Sequence, residues 1–94
     1  MHTPAILQIL HDAFLEIRYL ARHGYAAQAG DLADAMHNVP SGLAAGTLDL
    51  GRLLASLDAY ERKYCGAQAG DPTGRPPVYD YPAQVRGAMG LSVG

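Results

Sequence analysis

Only one cysteine, Cys65, occurs in the 94-residue chain, so no disulfide can close within it. There is no excess of positive charge: seven Lys and Arg stand against nine Asp and Glu, a formal charge of −2. Nucleic-acid binding needs several cations against phosphates, and this composition lacks that footprint. No apolar run approaches the ~20 residues of a membrane span. The opening Met1-His2-Thr3-Pro4-Ala5-Ile6-Leu7-Gln8 has neither the positive start nor the apolar stretch of a secretory signal. We therefore expect a cytoplasmic protein with no nucleic-acid or membrane partner.

Catalytic fingerprints are missing as well. The chain contains no G-x-S-x-G, phosphate-loop or dinucleotide motif. Cys65 falls at the expected end of a helix, where the negative pole raises a thiol pKa rather than activating it. The expectation is a non-enzyme with no cofactor and no metal.

Large apolar residues are sparse too. The chain is 49% hydrophobic, but much of that is alanine, which favours helix and buries little area. After Tyr64 the chain turns rich in Gly and Pro, leaving about two thirds of its length for a core. A core that small, without a disulfide, commonly leans on self-association.

What is present reads as helix. Thr3 and Pro4 suit a helix start, and Arg22, His23 and Gly24 suit its end. The spacing predicts a first helix over 4–23 whose inward stripe is Ile6, Leu10, Ala13, Phe14, Ile17, Leu20 and Ala21. Leu15 and Tyr19 fall on a second, smaller apolar surface. A second helix over 25–38 aligns Tyr25, Ala29, Leu32, Met36 and Val39, although Gly30 weakens it and Asp31 offers an alternative start. Pro40 to Gly46 reads as a connection. Thr47 then suits the cap of a third helix reaching Cys65, with Leu50, Leu53, Leu54, Leu57, Tyr60 and Tyr64 inward and Asp58 paired with Arg62.

These elements predict an all-α fold: a three-helix up-down-up bundle over 1–65 and a Gly/Pro-rich flexible tail over 66–94, with a short helical turn possible at 82–89.

Three sets of residues are candidates for function. Leu15 and Tyr19 form an outer apolar strip suited to a homodimer or a protein partner. Asp34, His37 and Asn38 form a polar set at the end of the second helix. Asp34 and His37 stand three residues apart, as two metal ligands or an oriented histidine would, but helix-end chemistry accounts for the same residues and no second pair converges on them. Pro76, Pro77 and Tyr79 match a P-P-x-Y pattern that an aromatic groove can read. A chance match in a Pro-rich tail competes with that reading.

Two resemblances can be weighed. Leu15, Tyr19, Leu32, Ala35 and Pro40 fit preferred positions of a tetratricopeptide repeat. Glu16 and Gln28 stand where that repeat wants small residues, and no second copy follows. The segments Ile17-Arg18-Tyr19-Leu20-Ala21 and Leu32-Ala33-Asp34-Ala35-Met36-His37-Asn38-Val39-Pro40 resemble a group of small proteobacterial proteins with no assigned activity. That resemblance covers the first two helices and implies a compact helical protein. Many alanines, and arginine in preference to lysine, suit a GC-rich bacterial genome.

Overall fold

Pro4, Gly24, Pro40, Gly46 and Pro82 punctuate the chain into helices, and each acts through its backbone. The computed structural model describes residues 3–64 and 74–90, and all the regular structure among them is helical. The elements are α1 (Thr3–Arg22), α2 (Ala26–Met36), α3 (Val39–Ala45), α4 (Leu50–Tyr64) and α5 (Tyr81–Ala88). No helix of these is long and apolar enough to cross a membrane.

The ends of α1 follow the sequence signals. Pro4 sits in its first turn, where a missing N–H costs nothing. At the other end Gly24 takes φ +86°, a conformation open to glycine, and the Tyr25 N–H returns to the Leu20 carbonyl at 2.9 Å. α2 buries Ala29, Leu32 and Met36 as the stripe requires.

Elsewhere the punctuation reads differently. Pro40 does not merely stop a helix. It occupies the first turn of α3, and Asn38 stays right-handed at φ −87°. The left-handed residue is Gly46, at φ +71°. Asp49, rather than Thr47, caps α4: its carboxylate accepts the Arg52 N–H at 3.2 Å. Asp58 reaches Arg86 of α5 at 3.8 Å in place of the expected partner Arg62.

The core closes as a ring. α1 packs against α2 and α5, and α4 packs against the same two helices. An up-down-up bundle of three helices is therefore not the arrangement; α5 supplies a fourth wall. The expectation of a flexible Gly/Pro-rich tail is corrected over 74–90, because Tyr81, Val85 and Ala88 recur at i, i+4 and i+7 and all three are buried. Asp80 starts this helix by accepting the Ala83 N–H at 3.1 Å, with Pro82 in the first turn. The possible turn at 82–89 is thus a packed helix. Residues 66–73 and 91–94 of the expected tail, and Cys65, lie outside the described residues.

α1 is rotated from its expected orientation. Ile6, Ile9, Ala13 and Leu20 face inward with Asp12 and Glu16, while Phe14 remains 54% exposed and Ala21 is exposed. An apolar-only stripe omits the two carboxylates, which turn inward because α4, α5 and the segment before α5 supply hydrogen-bond donors. Phe14 is carried outward by that rotation.

Gly30 lies exposed inside α2, with open space where a Cβ would stand. Gly30→Ala should therefore stabilise the protein by about 0.5–1 kcal/mol, the helix-propensity difference. Thermal or urea unfolding checks this directly.

Candidate functional site

Glu16 and Gln28 are almost wholly buried, at 4% and 2% exposure, and a buried polar group needs partners. Both find them in the segment leading to α5. The Glu16 carboxylate accepts the Tyr81 hydroxyl at 2.6 Å, the Tyr60 hydroxyl at 3.1 Å and the Val78 N–H at 3.3 Å. The Gln28 amide donates to the Arg75 carbonyl at 2.7 Å and accepts the Arg75 N–H at 2.8 Å. Its second N–H reaches the Tyr60 hydroxyl at 3.1 Å.

These bonds make a clasp in which α1, α2 and α4 hold the backbone of residues 75–78. Gly74 fits beneath it because a Cβ there would run into the Tyr64 ring. Burial, and the Glu16 carboxylate beyond it, push the Tyr81 hydroxyl far above its ordinary pKa. Burial is also the leading cause of the large upward shift of Tyr60. Both phenols therefore serve as neutral donors at physiological pH.

Two further carboxylates lie beside it. Burial works to raise the Asp12 pKa, but hydrogen bonds from Gln84, His11 and Gln8 outweigh burial and hold it below the ordinary value. Asp31 is lowered by Lys63 and then by the Tyr64 hydroxyl, with Lys63 at 2.8 Å.

The pH dependence follows. Near pH 4 the folded state binds fewer protons at Asp12 and Asp31 than the unfolded chain does. The stability they contribute is full above the ordinary carboxyl range, about 4, and is lost as pH falls through their lowered values. Tyr60 and Tyr81 are shifted up, so their contribution is full below about pH 10 and is lost as pH rises further. Melting temperature should be level between about pH 5 and 9 and fall on both sides. Asp12→Asn should make the acid limb shallower.

Leu15 and Tyr19 lie on the flank of α1 beside this clasp. Leu15 is half-buried. Tyr19 is stacked on His23, with ring centroids 3.8 Å apart, and the Arg75 guanidinium stands 4.5 Å from the Tyr19 centroid. The structure therefore puts part of the C-terminal segment over the strip. The freer apolar surface lies on the opposite flank of α1, where Leu7 is 50% and Phe14 54% exposed next to half-buried Leu10 and Ile17.

Asp34, His37 and Asn38 are exposed and do come together. They line an open depression of about 520 Å³ whose far wall includes Asp49 and Arg52. His37 Nδ1 donates to the Asp34 backbone carbonyl at 2.6 Å, so the ring closes the end of α2 rather than meeting the Asp34 carboxylate. Among the described residues no group of three His, Cys, Asp or Glu is placed to hold a metal ion. In the P-P-x-Y segment Pro76 is exposed, Pro77 and Tyr79 are half-buried, and the Tyr79 ring packs at 6.0 Å from Tyr81.

Sequence reasoning missed the clasp, and a signal for it existed. Glu16 stands three residues after Ala13 and four before Leu20, which places it squarely on a helix face otherwise filled by core residues. No protein-family model, curated protein or solved structure matches the chain.

Proposed function

We propose that the protein is a non-enzymatic helical interaction module whose docking surface is the outer face of α1, formed by Leu7, Leu10, Phe14 and Ile17. One observation carries this reading. α1 turns both of its carboxylates inward and leaves its one phenylalanine more than half exposed. Large apolar side chains grouped on one helix flank gain burial on meeting a partner. The face differs from the Leu15 and Tyr19 strip, which Arg75 partly covers.

The double variant Leu7→Ser/Phe14→Ser tests the reading. Stability should change by no more than about 0.5 kcal/mol, as for surface positions outside the packed core. Binding of a hydrophobic dye to the native protein should fall. A loss of more than about 1 kcal/mol would mean that the stripe belongs to the core.

A second reading is a small polar ligand in the depression beside Asp34, His37 and Asn38, favoured by the convergence of Arg52 and Asp49 on the same space. Titration with inorganic phosphate and with divalent metals, followed at the His37 resonance and by melting temperature, tests it. No response of either would remove the support. Recognition of Pro76, Pro77 and Tyr79 by a peptide-binding domain requires Tyr79 to leave its packing. Cutting the chain before this segment does not isolate the motif, because Tyr81 and Val85 of the core would go with it.

A further inference from the structure

Residues 75–78 are held by their main chain. Gln28 takes both the N–H and the carbonyl of Arg75, and Glu16 takes the N–H of Val78. Between these anchors stand Pro76 and Pro77, which have no N–H to place. Each proline fixes its own φ and biases the residue before it toward an extended backbone, so the sequence presets the stretched form that the anchors span. The Tyr60 hydroxyl accepts from Gln28 and donates to Glu16, both at 3.1 Å. It thereby fixes the two readers relative to each other from α4.

The side chains of this stretch add little to the core. Pro76 is exposed and Val78 is 62% exposed. Arg75 lays its guanidinium over the Tyr19 ring, and Gly74 lies against the Tyr64 ring. Main-chain hydrogen bonds, a cation on an aromatic face and tyrosines flanking a Pro-Pro pair are the means by which a groove reads an extended proline-rich peptide.

We propose that the clasp is a reading site for an extended Gly-Arg-Pro-Pro segment of a partner protein, and that the chain's own residues 74–81 occupy it as an autoinhibitor. The site is separate from the outer face of α1 and does not depend on it. The chemistry of the partner segment follows from its resident counterpart: no Cβ where Gly74 meets Tyr64, a cation for Tyr19, and two prolines between the main-chain anchors. None of these contacts requires a covalent link to α4. A second copy of the chain holds its own segment in its own clasp, so an exchange needs two openings, whereas a free partner segment needs one. Entry follows departure of the resident segment, and the apparent affinity is reduced by the fraction of molecules that are open.

A labelled peptide of residues 74–90, titrated into the full-length chain, tests the site. The peptide should bind the native chain weakly and the Tyr81→Ala chain, whose own segment is loosened, more tightly. The gain should not exceed the amide-exchange protection that Val78 and Val85 share in the native chain. Replacing both prolines of the peptide by alanine should weaken binding by roughly 4- to 30-fold through lost pre-organisation. N-methylation of the peptide at Arg75 or Val78, which removes the donor read by Gln28 or Glu16, should weaken it by about tenfold. No binding to the Tyr81→Ala chain at millimolar peptide overturns the site, and equal binding of the proline-free peptide overturns the reading of proline. Binding to the native chain as tight as to the variant overturns autoinhibition. If Tyr81→Ala unfolds the chain, circular dichroism decides: helix beyond the sum of the components supports the site, and additive spectra overturn it. A native dimer that the peptide dissociates would overturn the partner protein as occupant in favour of a second copy.

Discussion

Replacing Glu16 by alanine is expected to destabilise the protein by about 3 kcal/mol and to open the segment 74–90 to solvent exchange. The substitution removes the acceptor of three donors at once, the Tyr60 and Tyr81 hydroxyls and the Val78 N–H. Each buried donor left without a partner costs about 1–3 kcal/mol. The sum is reduced because water can enter the space vacated and accept from the freed donors. Glu16→Gln should cost less, since it keeps the shape and one acceptor oxygen. Amide exchange distinguishes loss of the clasp from general weakening: protection should fall first at residues 75–88 and persist in α1 and α4. Equal loss throughout would mean that the C-terminal segment does not unfold separately.

Tyr81→Ala should cost about 3–5 kcal/mol, the range for deleting a large buried aromatic side chain. Tyr81 has no exposed surface, and its ring stands edge-on to Tyr60 with centroids 6.4 Å apart. The substitution leaves a cavity in the wall where α5 meets α1 and α4, and also takes one donor from Glu16. Tyr81→Phe keeps the ring and removes only the hydroxyl, so it should cost about 1–2 kcal/mol. A double-variant cycle with Glu16→Gln isolates the coupling between the two side chains. Chemical denaturation supplies all four values. A Tyr81→Ala protein as stable as the native one would show that α5 does not help to form the core.

The all-α character and most of the inward residues of α2 and α4 could be read from spacing alone. Leu53, Leu57, Tyr60 and Tyr64 repeat at helical intervals, and all four are buried. The failures share a physical origin. Pro40-Ser41-Gly42 reads as a break, yet proline is well suited to a first helical turn, and α3 begins there. Gly87 and Gly90 discount a helix near the C-terminus, but Asp80 and Pro82 form a sound start, and Tyr81, Val85 and Ala88 suffice when a groove between α1 and α4 awaits them. Periodicity counts apolar residues and so puts Phe14 inward, and that count leaves Glu16 and Asp12 out.

Glu16 and Gln28 illustrate the limit most clearly. These are the two residues that spoil a tetratricopeptide frame, and in the folded chain they are the two that grip the backbone at 75–78. Their partners lie 32 to 65 residues away in sequence, beyond the reach of any local pattern. Leu15 and Tyr19 were legible as an apolar strip; that Arg75 would lie over Tyr19 was not. The convergence of Asp34, His37 and Asn38 was visible, but the depression they line also needs Asp49 and Arg52 from beyond α3.

Chemical denaturation of the Leu7→Ser/Phe14→Ser variant, read beside dye binding to the folded protein, tests the central claim most directly. A docking face on α1 requires stability within about 0.5 kcal/mol of the native chain and weaker dye binding than the native chain shows. A loss of more than about 1 kcal/mol would place Leu7 and Phe14 in the core and contradict a docking face on α1.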